Sequence, residues 1–202
     1  MNIDFFKTYL RQNLTNERYE HSLGAYEASC EICKFLGVEN EKAEIASLIH
    51  DCAKCLPNDE LLRLISQNNI DVTKMELENF KTLHAPVGAY VAKTVFDIED
   101  KEILDAIRFH TIGRINMTQT EKIVFLADKI ESRTRRPDIS KLLWDALSEH
   151  GNMDDAIILC YKATIKKLID NDLVIHPQTV EVYDSLILDV KNRLRLFNSP
   201  CP

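Results

Sequence analysis

Glycine is scarce in this sequence, five in 202 residues and never grouped, so no glycine-rich loop is present to cradle phosphate on backbone amides. No apolar run approaches the roughly 20 residues that a membrane span requires. The N-terminus, MNIDFFKTYLRQNL, has no basic stretch followed by an uninterrupted apolar one, which argues against a secretory signal and for a cytoplasmic protein. With no export signal, the six cysteines read as reduced thiols rather than a disulfide framework. Basic residues are outnumbered, 25 Lys and Arg against 32 Asp and Glu, and the net charge of −7 excludes an extended nucleic-acid footprint. Any polyanionic substrate must therefore be small and met by a local cluster of cations. Internal repeats and low-complexity linkers are also missing, and 202 residues make one good core, so a single domain over 1–202 is expected.

What is present is helical periodicity almost everywhere, and no segment alternates as a strand does. Helices are expected over 3–14 and 16–36, the second with Thr15 as cap and Gly37 as stop. Asn40 can cap a third that runs to Cys55 and closes at Leu56-Pro57. Further helices fit 59–67, 73–80, 86–96 and 100–110, and Thr118 with Glu121 forms a capping box for one to about 132. Segments 140–149, 153–170 and 178–196 complete an all-α chain.

Against this background, His21, His50, His84 and His110 fall in helical segments or at their ends, and Asp51 and Asp128 join them in apolar surroundings. In EKIVFLADKIE, Asp128 follows Ile123, Val124, Phe125 and Leu126; a carboxylate there is costly to bury unless it is paired or binds a metal. For any one of these residues a core histidine or a capping aspartate is the simpler reading. The argument rests on the set and its order, His, His-Asp, His, His, Asp.

That order resembles the HD superfamily of metal-dependent phosphohydrolases, with His21 as the distant histidine, His50-Asp51 as the doublet and Asp128 as the late aspartate. His84 and His110 match the subset holding two metals. The blocks RYEHSLG, AEIASLIHDCAK, LHAPVGAY, ILDAIRFHTIGR and EKIVFLADKIE, within 18–131, are similar to the YqeK family of symmetrical diadenosine tetraphosphate hydrolases. Two departures stand out: Cys52 replaces a usual tyrosine, and RTRRPD (133–138) lacks the usual aromatic and glycine around its proline. The resemblance implies an HD-type helical bundle and hydrolysis of the tetraphosphate to two ADP by a hydroxide held between two divalent metal ions. Iron is the first expectation for the metals, with manganese, zinc or another transition metal as alternatives. It further implies that Asp51 bridges both metals, that His21, His50 and Asp128 complete one site, and that His84 and His110 complete the other.

The cysteines raise a competing reading. Cys30/Cys33 and Cys52/Cys55 form two C-x2-C pairs with 18 residues between them, a spacing that structural zinc sites use. Helical projection argues against it: with His50 as reference, Lys54 lies at about 40° and Asp51 at about 100°, whereas Cys52 lies at about 200°, on the opposite face. Cys55, at about 140°, falls nearest Leu48, and Cys30 and Cys33 continue the apolar stripe of Tyr19, Leu23 and Tyr26. Both pairs are expected to act as small buried hydrophobes.

For the phosphates, Lys54 shares the His50/Asp51 face, Arg18 precedes His21 by one turn, and Arg114 follows His110 by one turn. Arg133 is a further candidate beyond Asp128, while Arg135 and Arg136 are set aside as solvated cations. Asp51, Lys54 and Asp128 are the expected catalytic groups; Arg18, His21, Lys54, Arg114 and Arg133 are the expected substrate contacts. His150 and His176 read as structural, at a helix end and a helix start. The last third, with the lone Trp144, reads as core-forming helices that can also line a nucleoside pocket. The expected partner is a diadenosine polyphosphate, with no nucleic-acid polymer and no membrane, and a homodimer is compatible with the sequence. Two other functions fit part of the pattern: an HD phosphohydrolase of nucleoside monophosphates, cyclic nucleotides or alarmones, and a nucleotide-binding module stapled by zinc.

Overall fold

Side-chain caps set most of the helix starts. Thr15 accepts from the Arg18 amide to start α2 (Asn16–Leu36), and Gly37, at φ 66°, ends it in the left-handed conformation that glycine adopts without strain. Asp100 accepts from two amides at the head of α7 (Lys101–Phe109). Both halves of the Thr118–Glu121 capping box are made in front of α8 (Gln119–Ile130). The remaining helices are α1 (Ile3–Asn13), α3 (Glu41–Ile49), α4 (Asn58–Asn68), α5 (Lys74–Glu78), α6 (Phe80–Thr94), α9 (Pro137–His150), α10 (Met153–Asp170) and α11 (Pro177–Asn198). The computed structural model describes residues 2–198. The side chain of His150, expected to be structural, lies outside that description, as do the side chains of residues 194–198. Among the described residues there is no strand and no helix long and apolar enough to cross a membrane.

The core is built around α8. Ile123, Val124, Phe125, Leu126 and Ala127 are consecutive and all buried, so this helix is covered on every side. It packs along α2, and α3 and α7 lie against it as well. On its other flank, α10 stacks Tyr161 against Phe125, with ring centroids 5.2 Å apart, and α9 and α11 pack on α10. One hydrophobic cluster runs from Phe6 to Leu186, and Trp144 packs half-buried against it.

Of the boundaries that differ from expectation, two carry site residues. The third helix was expected to reach Cys55 but stops at Ile49. The His50 ring Nδ1 donates to the Ser47 carbonyl at 2.7 Å, and the chain then runs through tight turns with three-residue bonds from Cys52 to Ile49 and from Lys54 to Asp51. The helix expected at 86–96 starts six residues earlier, at Phe80, with Asn79 as its cap. Burial of Leu83, His84 and Ala85 carries the helix through Pro86, although proline has no amide to offer the Thr82 carbonyl.

The cysteines divide differently as well. Cys33 and Cys52 are buried, and the Cys52 thiol donates to the Gly88 carbonyl at 3.5 Å; but Cys30 is half-buried and Cys55 is exposed, not buried as expected. Projection on an ideal helix misplaced Cys55 because the chain there has left the helix.

Candidate metal centre

His21 in α2, His84 in α6, Asp128 in α8 and the two residues after helix ends, His50-Asp51 and His110, converge on one buried point. Their metal-capable atoms fall into overlapping groups: His21/His50/Asp51, His50/His110/Asp128 and Asp51/His84/His110. No cysteine belongs to these groups.

His50 and His110 are placed by one local device. Each sits at the C-cap of its helix, where the last carbonyls have no partner within the helix. His50 Nδ1 donates to Ser47 O and His110 Nδ1 to Ile107 O, both at 2.7 Å. A carbonyl only accepts, so the proton is on Nδ1 and the Nε2 lone pair of each ring faces the site. Burial lowers the pKa of His50 to about 4 and lowers those of His84 and His110, which keeps the three imidazoles neutral at pH 7.

Asp51 stands between two sets of ligands. Its Oδ1 lies 3.1 Å from His84 Nε2 and 3.5 Å from His110 Nε2. Its Oδ2 lies 3.7 Å from His50 Nε2 and 3.8 Å from His21 Nε2. Asp128 Oδ1 joins the second set, 3.0 Å from His21 Nε2 and 3.8 Å from His50 Nε2. Burial raises the pKa of both aspartates, but the histidines, with Lys129 and Arg135 beside Asp128, outweigh it and hold both carboxyls well below the usual range.

The donor set fits divalent metals on two counts. His21 Nε2 and His50 Nε2 are fully buried yet have no hydrogen-bond partner, and the 3.0 Å approach of Asp128 to His21 is misaligned for one. A buried orphan nitrogen is costly, and a metal ion would satisfy it. Four imidazoles with two carboxylates, one of them offering an oxygen to each side, also match the preferences of iron, manganese and zinc.

The cations sort differently from the sequence expectation. Arg18 Nη1 lies 3.5 Å from Asp51 Oδ2, and Lys54 Nζ lies 3.9 Å from Asp51 Oδ1 and 3.1 Å from His84 Nε2, so both are at the centre. Burial lowers the pKa of Lys54. Arg114 does not reach it: the guanidinium binds Glu121 at 2.7 Å and Asp105 at 3.1 Å and stacks on Phe109. Arg133 also turns away, to Glu20 and Glu27 on α2. Arg135, set aside as a solvated cation, instead places Nη2 2.6 Å from Asp128 Oδ1 and Nε 2.9 Å from the Asp128 carbonyl.

Sequence reasoning missed three other residues. Lys129 Nζ lies 3.1 Å from Asp128 Oδ2 and 3.2 Å from the His110 carbonyl. Glu131 and Thr134 both reach His21 Nδ1, at 3.1 and 3.3 Å. Burial works to lower the pKa of His21, but the carboxylates of Asp128 and Glu131 outweigh it and raise the value to about 9. The available signal was the spacing of Glu131, at the C-cap of α8, three residues beyond Asp128 and so near the same face.

The sequence profile of the HD domain family matches residues 18–133, which contain the whole ligand set. The chain therefore belongs to the HD domain family, and its full-length relatives narrow the placement. It is 38% identical to a protein of Halalkalibacterium halodurans named "Bis(5'-nucleosyl)-tetraphosphatase, symmetrical", over 90% of this chain and 95% of that one. A protein of the same name from Bacillus subtilis is 34% identical over 88% of this chain and 94% of its own. Among solved structures, a predicted HD superfamily hydrolase involved in NAD metabolism from Clostridium acetobutylicum superposes with a TM-score of 0.86 at 33% identity, covering 94% of this chain and 98% of that one.

Proposed function

We propose that this protein is a symmetrical bis(5'-nucleosyl)-tetraphosphatase that hydrolyses diadenosine tetraphosphate to two ADP, with two divalent metal ions, iron foremost, as cofactor. The observation that carries the reading is the division of Asp51: one carboxylate oxygen faces His84 and His110, the other faces His21, His50 and Asp128. Relatives bearing the tetraphosphatase name over nearly their whole length support the substrate.

Bound there, a pair of divalent ions supplies Lewis acidity at phosphoryl oxygens and lowers the pKa of water. The protein's own groups do the rest. Asp51 and the Nε2 atoms of His50 and His110, whose protons are held on Nδ1 by backbone carbonyls, offer lone pairs without first releasing a proton. Lys54 Nζ and the Arg18 guanidinium, both partly exposed beside Asp51, donate to phosphoryl oxygens and offset the substrate's charge on a protein of net charge −7. Arg135 and Lys129 do the same on the Asp128 side. One water is consumed, the bridging P–O bond between the two central phosphorus atoms breaks, and each half leaves as ADP. The free thiols fit a reducing cytoplasm, and a homodimer belongs to the same proposal, to be read from the mass in solution by light scattering.

The test is product analysis after incubating the protein with diadenosine tetraphosphate and Fe²⁺, Mn²⁺ or Zn²⁺ in turn. ADP as sole product is expected; AMP with ATP would overturn the position of attack. Preferential turnover of a monophosphate, cyclic nucleotide or alarmone in a parallel panel would overturn the substrate.

A further inference from the structure

Two cavities of nucleotide size open onto opposite ends of the ligand set. One, of about 660 Å³, lies between the C-terminal end of α8 and helices α9 and α10. Asp128, Lys129 and Arg135 form its inner end, and Ile139, Leu142 and Leu159 form an apolar wall. The other, of about 700 Å³, lies at the start of α6, with His84, Lys54 and Arg18 at its inner end and Phe80, Leu56 and Lys81 further out. Both volumes fall in the range of small-molecule sites.

The ends are opposite because of how Asp51 is shared. His84 sits on its Oδ1, whereas Asp128 belongs with His21 and His50, which face its Oδ2. Each cavity thus reaches the centre through one metal-capable side chain and two cations. Each also leaves large apolar side chains in contact with water: Leu142 is 52% and Ile139 42% exposed in the first, and Phe80 is 41% exposed in the second. Apolar surface beside fixed cations matches the two parts of a nucleoside diphosphate, a base with a flat apolar face and a chain of anionic oxygens.

Resting on the function proposed above, we infer that the two cavities are two separate nucleoside-diphosphate subsites of one dinucleotide site. The α8–α9–α10 cavity takes one nucleoside and its phosphates, the α6 cavity takes the other, and the scissile bond lies over Asp51 between them. Symmetrical cleavage is then accounted for by a ligand set that lies between two holders of similar volume, about 660 and 700 Å³. The holders are not alike: the first presents an aliphatic wall and the second an aromatic ring, so they hold the two product molecules with different affinities.

Isothermal titration of the metal-loaded protein with ADP tests this, since ADP is both the product and a probe of each half. Two ADP per chain are expected. Leu142→Glu, an exposed substitution that sets a carboxylate into the apolar wall that meets the base, should abolish one of them. Phe80→Ala should weaken the other by roughly tenfold, the scale of one lost base–aromatic contact. Each variant should raise the KM for diadenosine tetraphosphate with a smaller effect on kcat, and thermal melts matching the parent would establish that both remain folded. Unchanged binding of two ADP in both variants, or a single ADP per chain in the parent protein, would overturn the subsites. Those outcomes leave the tetraphosphatase reading intact if two ADP are still produced. Conversely, two ADP lost one by one in the variants, with no turnover of the tetraphosphate, would sustain the subsites and reject that reading.

Discussion

Glu131 and His21, 110 positions apart in the chain, meet at 3.1 Å, carboxylate Oε1 against imidazole Nδ1. Glu131 also accepts from the backbone amides of Arg133 and Thr134, and it is buried over Gly24, where a Cβ would collide with its Oε2. Burial raises its pKa, but the hydrogen bonds from His21 and Thr134 outweigh that and bring it to about 2. A permanent carboxylate behind the ring orients His21 Nε2 toward Asp128 and makes it a stronger donor to a metal.

Glu131→Gln should therefore lower metal affinity by about 10- to 100-fold, the usual scale for such a supporting group. Competition against a chelator measures it. Gly24→Ala should act in the same direction by displacing the carboxylate. Parent-like affinity in both would reduce the pair to a packing contact.

Asp51→Asn keeps the side-chain volume while removing the charge shared by both ligand sets. The expected result is less than a full metal complement by elemental analysis and a loss of turnover of at least ~100-fold, since Lewis-acid assistance supplies several kcal/mol. Retention of full metal content would show that Asp51 is not the shared ligand.

Away from the centre, Glu76 is buried and accepts two hydrogen bonds from Arg108, at 2.7 and 3.0 Å, besides closing the cap of α5. Burial pushes its pKa up, but Arg108 and the Thr73 amide outweigh this and lower it overall. A depressed folded pKa adds stability that is fully present above the unfolded value of about 4.3 and is lost as pH falls through the folded value. Glu76→Gln should cost about 2 kcal/mol at pH 7 and less in acid. Melts from pH 7 down to about 3 would show the two proteins converging; a constant gap would refute the assignment.

Tyr161 in α10 donates to the Ile112 carbonyl at 2.9 Å and closes over Gly113, whose φ is 70°. A Cβ on Gly113 would run into the Tyr161 hydroxyl. Gly113→Ala should cost at least ~2 kcal/mol from combined backbone strain and overlap. Tyr161→Phe alone should cost about 1 kcal/mol. Together they should cost less than the sum of the two, because removing the hydroxyl relieves the overlap. Strict additivity in chemical denaturation would remove the proposed contact.

Much of this was legible in the sequence because it is local. Thr15 with Gly37, Asn40, and Thr118 with Glu121 act on amides within a few residues, so their caps formed where expected. The six metal-capable residues were legible as types in an order. Two elements were not, for reasons that lie outside their own segments. The helix before His50 ends early as that ring turns back onto Ser47, and the helix before Pro86 begins early because Leu83, His84 and Ala85, ahead of the proline, are buried.

The arginines show most clearly where sequence stops. Arg18, Arg114, Arg133 and Arg135 all lie near a ligand along the chain, but a long flexible cation binds whichever carboxylates packing brings to it. For Arg114 those are Asp105 and Glu121, for Arg133 Glu20 and Glu27, and for Arg135 Asp128. The sequence by itself determined an all-helical chain carrying four histidines and two aspartates in a metal-binding order, because periodicity, caps and donor chemistry are properties of residues and short spacings. Only the tertiary structure decided which oxygen of Asp51 faces which histidines, which cations remain at the centre, and where two cavities open beside it. Those depend on the approach of helices distant in sequence, and no single segment encodes that approach.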